Sequence, residues 1–177
     1  MNEAELVKRF KNGDTEAFNV IYDSYYKRIY YYINKMVNDM ALADDLTQET
    51  LIKVLGGLKD VDEEKNLSPW IFRIAHNTCV DYLRKTRVNF ELIDNINCYD
   101  TDDNGPEYHF LNKEKQNKIK EVLLKITGKY QQALLLRDFN DLSYREIASL
   151  LKLNESTVKT LIHRARQQFQ KAYAEVY

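Results

Sequence analysis

The segment that decides the fold reads Leu142-Ser143-Tyr144-Arg145-Glu146-Ile147-Ala148, and a second helical pattern follows it after Asn154. Ser143 with Glu146 three residues later is a capping box, which predicts the start of a short helix. Asn154 can cap the next helix through its side-chain oxygen. Because only Lys152-Leu153-Asn154 connects the two patterns, the sequence predicts a helix-turn-helix unit.

The second helix of this unit has two chemically different faces. Its apolar residues recur at helical spacing and predict a buried face: Val158, Leu161, Ile162, Ala165 and Phe169. The opposite face carries cations and hydrogen-bonding groups: Lys159, Thr160, His163, Arg164, Gln167 and Lys171, with Arg166 near its edge. Such a face suits the major groove of DNA, where side chains reach base edges and cations hold phosphates. The alternative is an amphipathic surface helix whose cations are solvated, since helix-turn-helix units also serve protein contacts.

The composition favours an all-α protein. The 177 residues include only five Gly and two Pro among many helix-forming residues. The net charge is −1, but residues 116–177 carry eleven Lys and Arg against six Asp and Glu. Residues 91–107 carry six acids and no Lys or Arg. This asymmetry predicts a local basic patch that suits a phosphate backbone.

Neither a secreted nor a membrane protein is indicated. The N-terminus lacks the basic start and apolar run of a signal peptide, and no apolar stretch approaches the length of a membrane span. Cys79 and Cys98 make no disulfide framework, so we expect reduced thiols in a soluble, cytoplasmic protein without membrane insertion.

Helical periodicity divides the chain into two regions. The first has helical patterns near residues 3–11, 14–38, 42–58 and 68–87, the last opening at Ser68-Pro69. The second has them near 111–126, 129–138, 143–151 and 155–174. The stretch between them shows no sustained period and contains Gly105 and Pro106, which predicts a linker.

Two blocks of sequence carry a family resemblance. The first comprises residues 42–50, from Leu42-Ala43-Asp44-Asp45 to Gln48-Glu49-Thr50, with Pro69-Trp70-Ile71-Phe72-Arg73 and Asp81-Tyr82-Leu83-Arg84-Lys85. The second comprises residues 142–148 with Thr157-Val158-Lys159-Thr160 and Arg164-Ala165-Arg166. With these blocks in this order, the chain resembles bacterial RNA polymerase sigma factors of the extracytoplasmic-function (ECF) type.

The resemblance implies two small helical domains and a non-enzymatic function. Residues 1–87 would form sigma domain 2, which binds the β′ clamp helices of core RNA polymerase and melts the −10 promoter element. Residues 113–177 would form sigma domain 4, which reads the −35 element and touches the β flap. Residues 88–112 would be the acidic flexible linker, either threading the polymerase channel or serving as a plain tether. The chain would thus be an alternative sigma factor that directs promoter-specific transcription under the control of an anti-sigma factor.

The resemblance also implies a site for core polymerase on the third helix. The expected residues are Asp44, Asp45, Gln48, Glu49 and Ile52. The polar ones offer carboxylates and an amide to a cationic helical partner. The alternative from the residues alone is a solvated acidic face in which Glu49 pairs with Lys53 four residues later.

The helix after Ser68 mixes aromatic side chains with cations, as binding of single-stranded DNA requires. The residues expected to bind the −10 element are Trp70, Arg73, Asn77, Arg84 and Lys85. In the resembling family, Asn77 would line the pocket for a flipped base together with the loop of residues 59–67. For Trp70, packing in the core is at least as good an interpretation as contact with DNA.

The second block implies the residues that read the −35 element. The expected set is Tyr144, Thr157, Lys159, Thr160, His163, Arg164 and Arg166, with Tyr144 and Thr157 donating to phosphates. The chain departs from the family at the turn, where Lys152 and Ser156 replace glycines that are usual there.

Two other functional classes compete with this interpretation. One is a stand-alone helix-turn-helix regulator or a sigma-like decoy that binds a regulatory protein. The other is an enzyme, suggested only by His76 and Cys79 at helical spacing. Two ligands are too few for a closed zinc site, and neither a phosphate-binding loop nor a nucleophile motif is present. The sequence therefore predicts no enzyme, no metal and no cofactor.

Overall fold

The computed structural model describes residues 2–86, 119, 121–123, 125–126 and 128–176. The predicted acidic linker, 88–112, and most of the predicted helix at 111–126 lie outside the described residues. The first region contains four α-helices: α1 (Glu3–Lys11), α2 (Glu16–Val37), α3 (Met40–Gly57) and α4 (Leu67–Lys85). A 3-10 turn, Leu58–Asp60, follows α3.

Helix α2 is the centre of the first region and packs against α1, α3 and α4. Its buried residues are Ala17, Ile21, Tyr25, Ile29, Tyr32, Ile33 and Met36. Helical periodicity in the sequence predicts the same stripe but with Phe18, which is half-buried, in place of Ala17. The remaining core comes from the facing sides of α3 and α4, which bury Leu46, Leu51, Val54, Ile71, Phe72 and Ala75.

Asparagine and aspartate side chains define the starts of these helices. Asp39 caps α3 by accepting from the Leu42 amide at 3.0 Å. Asn66 caps α4 by accepting from the Ser68 amide at 2.9 Å. The predicted start, with Ser68 as the cap and Pro69 as the first helical residue, is therefore wrong by two residues, because Asn66 is the cap and Leu67 the first helical residue.

The second region contains α5 (Gly128–Leu134), a π-helical turn (Leu135–Phe139), α6 (Tyr144–Leu151) and α7 (Glu155–Val176). The predicted capping box is confirmed, since Ser143 and Glu146 satisfy each other's backbone amides at the start of α6. Asn154 accepts from the Thr157 amide at 2.7 Å and caps α7 as predicted. The expectation of an all-α fold with two small helical domains is confirmed for the described residues.

The two regions are in direct contact. Arg28 of α2 donates from Nε to Asn140 Oδ1 at 2.7 Å and from Nη2 to Ser68 Oγ at 3.0 Å. Gln132 of α5 donates to the Tyr32 hydroxyl at 3.4 Å. One apolar cluster includes residues of both regions, from Leu6 to Ile162. The contact thus combines an apolar cluster with part-buried hydrogen bonds from Arg28 to Asn140 and from Gln132 to Tyr32.

No helix within the described residues is long and apolar enough to cross a membrane.

Candidate protein and nucleic-acid interfaces

The outward side of α3 combines acidic, amide and apolar groups. Asp45, Gln48 and Glu49 are exposed, whereas Asp44 is half-buried at the edge of the group. Ile52 is 69% exposed and Leu55 is 41% exposed. Ile52 and Leu55, three residues apart, thus form a small exposed apolar patch beside hydrogen-bonding groups, a composition that suits a protein partner.

Asp44 has two hydrogen-bond partners. The Tyr26 hydroxyl, from α2, donates to Asp44 Oδ1. Gln48 Nε2 donates to Asp44 Oδ2 at 2.8 Å. Burial, followed by the hydrogen bond to Asp44, raises the pKa of the Tyr26 phenol, so Tyr26 remains a protonated donor at neutral pH.

Glu49 forms the predicted pair with Lys53, with 2.6 Å between Lys53 Nζ and Glu49 Oε1. Lys53 also donates to Thr78 Oγ1 of α4 at 3.0 Å. The pair is about half exposed, so its direct contribution to stability is small. Through Lys53, the pair instead links the outer side of α3 to Thr78 in the middle of α4.

Trp70 lies against the end of α3. A Cβ added at Gly57 would lie 3.0 Å from Trp70 Cζ2, and the indole is half-buried against the core. The interpretation of Trp70 as a packing residue is therefore consistent with its position. Trp70 is also partly exposed, and its role in DNA binding stays a prediction.

The polar residues expected to bind the −10 element are all exposed on α4. Arg73 and Asn77 are four residues apart and so share one side of the helix. Arg84 pairs with Asp81 at 2.9 Å, and Lys85 is exposed near the C-terminal end of α4.

In the loop before α4, Asp62 pairs with Lys65 at 3.1 Å and Glu63 with Lys11 at 3.6 Å, which reduces the negative potential there.

His76 and Cys79 do not form a reactive site. Burial, and then the charge of Lys152, lowers the pKa of His76 to about 4. Its Nδ1 shares a hydrogen bond with the Tyr32 hydroxyl at 2.9 Å. Burial raises the pKa of the Cys79 thiol to about 12, which keeps it protonated and inert. No group of three or more His, Cys, Asp or Glu in the described part of the chain is placed to hold a metal ion.

Helix α7 separates its two faces as the periodicity predicts. Val158, Ile162 and Ala165 are buried, whereas Leu161 and Phe169 are half-buried. The residues expected to read the −35 element are exposed along the first half of the helix: Thr157, Lys159, Thr160, His163 and Arg164. Asn154 occupies the Thr157 amide, and the Thr160 hydroxyl donates to the Ser156 carbonyl at 3.0 Å. Lys159, His163 and Arg164 therefore form a cationic and hydrogen-bonding face at the start of the helix.

Arg166 differs from the other expected DNA-binding residues because it is bound within the second region. Its guanidinium donates to both oxygens of Asp138, at 3.0 and 2.5 Å. The hydrogen bond to Asp138 raises the pKa of Arg166 further above its usual range. Tyr144 lies next to this pair and under Arg137, whose Cζ is 5.0 Å from the ring centroid. A role for Arg166 and Tyr144 in binding DNA stays a prediction.

Three residues of these surfaces escaped sequence reasoning. Leu55 could have been found, since it lies three residues after Ile52 on the same side of the helix. Tyr26 and Asp138 could not, because their importance follows from contacts with Asp44 and Arg166 that only the packing of separate elements creates.

Comparison with known proteins gives matches to both regions. The family described as Sigma-70 region 2 matches residues 21–89, and that described as Sigma-70, region 4 matches residues 116–169. The RNA polymerase sigma factor YlaC of Bacillus subtilis is 33% identical over 158 residues, which cover 88% of this chain and 91% of that protein. The ECF RNA polymerase sigma factor SigW of the same organism is 31% identical over 174 residues, covering 93% of each.

Solved structures support the same fold. The sigma factor RpoE of Bartonella quintana, solved with the anti-sigma factor NepR, superimposes with a TM-score of 0.62 at 20% identity, over 89% of this chain and 97% of that one. CnrH, solved with the cytosolic domain of CnrY, gives a TM-score of 0.60 at 19% identity, over 96% and 95%.

The two helical regions and their matches to Sigma-70 regions 2 and 4 define the class of transcription initiation factors. Within that class, the chain belongs to the RNA polymerase sigma factors of the ECF type.

Proposed function

We propose that this chain is an alternative sigma factor that binds core RNA polymerase and directs it to a specific set of promoters. The observation that carries this proposal is the presence of both sigma-70 regions, in order, on one chain. Polymerase supplies the chemistry of transcription, so the chain acts as a specificity subunit. Its domains are residues 1–87 and 113–177, joined by the acidic segment 88–112.

The proposed polymerase-binding surface is the outer side of α3. Its members are Asp44, Asp45, Gln48, Glu49 and Ile52, with Leu55 added from its exposure. The β′ clamp helices are the partner. Burying Ile52 would supply apolar area, at about 25 cal/mol per Å² removed from water, while the acids and the amide fix the orientation.

The proposed −10 surface lies on α4 and comprises Trp70, Arg73, Asn77, Arg84 and Lys85. Their mixture of ring, amide and cations suits an unpaired strand, which needs stacking surfaces and phosphate contacts. Asn77, exposed four residues after Arg73, offers a donor and an acceptor to one flipped base.

The proposed −35 surface is the exposed start of α7 with Tyr144 of α6 beside it. Lys159, Thr160, His163 and Arg164 would face base edges, and Tyr144, Thr157 and Arg166 the phosphate backbone. For Arg166, the ion pair with Asp138 has to be shared or broken in the complex. We therefore expect Arg164 to contribute more to sequence choice than Arg166.

Control by an anti-sigma factor is part of the proposal. Two proteins of the same fold, RpoE of Bartonella quintana and CnrH, were each solved with a partner, NepR and the cytosolic domain of CnrY respectively. A partner of this kind would keep the chain from core polymerase until a signal removes it.

Run-off transcription tests the proposal directly. Core polymerase with this chain should give a discrete new transcript from DNA upstream of its own gene, whereas core alone should not. Loss of both the transcript and any binding to core would contradict the proposal and favour the stand-alone regulator or decoy.

The division of labour between the domains is tested by Lys159→Ala with Arg164→Ala. We expect transcription that depends on the −35 element to be abolished, because each base-reading cation contributes about 1–3 kcal/mol of discrimination. Binding to core polymerase should be unchanged. Lys171→Ala, on the same helix but near its end, is the matched control and should retain transcription. Equal loss of transcription and core binding in the double variant would refute this division.

A further inference from the structure

Tyr26 lies behind the α3 surface rather than on it. Its ring stacks on Tyr22, with 5.4 Å between the centroids, and the side chain is half-buried between α2 and α3. Its hydroxyl donates to Asp44 Oδ1. Since the phenol stays protonated at neutral pH, it remains a donor to this oxygen of Asp44.

The second oxygen of Asp44 determines the orientation of Gln48. The group that Gln48 presents to Asp44 is its NH₂, because Gln48 Nε2 donates to Asp44 Oδ2 at 2.8 Å. The Gln48 carbonyl oxygen then points away from Asp44. Because Gln48 is exposed, a partner on the outer side of α3 can reach that oxygen.

The surface offered to a partner is consequently a set of acceptors. The Gln48 carbonyl, Asp45 and Glu49 accept hydrogen bonds, and Ile52 provides the apolar contact beside them. A partner that fits this arrangement carries donors without acceptors, as arginine and lysine do, next to an aliphatic patch. If the Gln48 amide turned over, an N–H would face those cations and repel them.

We propose that Tyr26 is a positioning residue for core polymerase: through Asp44 it fixes the Gln48 amide with its carbonyl oxygen outward. This inference rests on the proposed function, since it assigns polymerase to the α3 surface. Tyr26 itself contacts no part of the partner.

The test is Tyr26→Phe in the full chain, with the affinity for bacterial core RNA polymerase as the first readout. The variant loses the hydrogen bond from the Tyr26 hydroxyl to Asp44, so Asp44 and Gln48 are less well ordered. We expect core polymerase to bind about threefold to tenfold more weakly. Tyr22→Phe is the matched control, because it removes the same atom from the stacked neighbour and should leave the affinity unchanged. The midpoint of urea unfolding should hardly move, since water can reach the half-buried Asp44.

A double-mutant cycle separates positioning from general destabilisation. Gln48→Ala alone should weaken core binding, and Tyr26→Phe should have no further effect in that background. Additive losses would overturn the proposal, because they would mean that Tyr26 acts without Gln48. So would normal binding by Tyr26→Phe while Gln48→Ala is impaired, and in that case the proposed polymerase surface would stand. If Gln48→Ala binds core normally, both the polymerase surface and the role of Tyr26 are refuted.

Discussion

Lys152 makes the turn between α6 and α7 in the left-handed region of backbone conformation, with φ 56° and ψ 41°. Glycine adopts this conformation without a steric cost, whereas a residue with a Cβ is strained by about 1 kcal/mol. The family resemblance had already marked this position as one where glycine is usual, so the strain was foreseeable from the sequence.

Lys152→Gly should therefore stabilise the protein. We expect a gain of about 0.5–1 kcal/mol in the free energy of unfolding, reduced by the greater freedom of glycine in the unfolded chain. Urea denaturation measures it. Lys171→Gly, in the exposed part of α7, should instead cost up to about 1 kcal/mol. A loss at both positions would mean that the turn does not strain Lys152.

His76 should make stability depend on pH. Its folded pKa of about 4 lies below the ordinary value of 6.5, so the unfolded chain binds more protons between these limits. Stability is thus fully present above about pH 6.5 and falls as the pH drops toward 4. At about pH 5 the loss should approach 2 kcal/mol, at 1.36 kcal/mol per pH unit.

The check is urea unfolding of the wild type and of His76→Gln at about pH 7 and pH 5. Glutamine retains an acceptor for the Tyr32 hydroxyl but does not titrate. The variant should lose less stability on acidification than the wild type. An equal loss in both proteins would assign the pH dependence to the carboxylates instead.

The end of α3 is shaped by its contact with Trp70. Gly57→Ala would place a methyl group 3.0 Å from the indole of the chain's single tryptophan, so the ring has to move. We expect about 1–3 kcal/mol of destabilisation, typical of an overpacked site, and a shifted tryptophan emission. Gly56→Ala is the control, since its Cβ meets no atom within 4 Å. Replacing that helical glycine should stabilise by up to about 1 kcal/mol without changing the emission.

The starts of the helices show where prediction from sequence succeeds. At α6 and α7 the capping residues are close in sequence to the amides they bind. Ser143, Glu146 and Asn154 therefore predict the starts of these helices without knowledge of the fold. At α4 both Asn66 and Ser68 could cap the helix, and contacts with residues distant in sequence determine which of them does. Glu3 accepts from the Leu67 amide at 3.2 Å, and the Ser68 hydroxyl is engaged by Arg28 at 3.0 Å. Capping rules that use only neighbouring residues cannot predict these contacts with Glu3 and Arg28.

The π-helical turn illustrates the same limit. Asn140 donates to the Leu135 carbonyl at 2.7 Å, and the Leu142 amide donates to the Leu136 carbonyl at 3.0 Å. The sequence predicted a plain helix to about residue 138. The exposed faces of α3, α4 and α7 followed from periodicity, but the ion pair that binds Arg166 depends on this turn placing Asp138 beside α7.

The contact between the two regions has its own test. Asn140 is 2% exposed, so Arg28→Ala would leave its side-chain oxygen without the bond from Arg28, at a cost of about 1–3 kcal/mol. We expect the domains of the variant to separate more readily, which a larger radius of gyration in small-angle X-ray scattering would reveal. Lys8→Ala, on the exposed side of α1, is the control. An unchanged radius in Arg28→Ala would show that the apolar cluster alone maintains the contact.

Promoter geometry gives this contact a further importance. Elements at −10 and −35 are about 25 base pairs apart, or roughly 85 Å along the helix at 3.4 Å per step. A compact chain of this size has a radius of gyration of only about 16 Å. If α4 and α7 bind these elements as proposed, they cannot reach both on one straight duplex while Arg28 contacts Asn140.

The contact between the two regions would therefore compete with promoter binding. Because both regions belong to one chain, the strength of this competition would not depend on protein concentration. On the proposed assignment only separated molecules would bind both elements, so the apparent dissociation constant would be the intrinsic one divided by the separated fraction. If about one molecule in a hundred is separated, affinity falls about a hundredfold before any regulator takes part. Residues outside the proposed DNA-binding surfaces, Arg28 and Asn140 among them, would then set how many copies of the chain a cell must hold before its promoters respond.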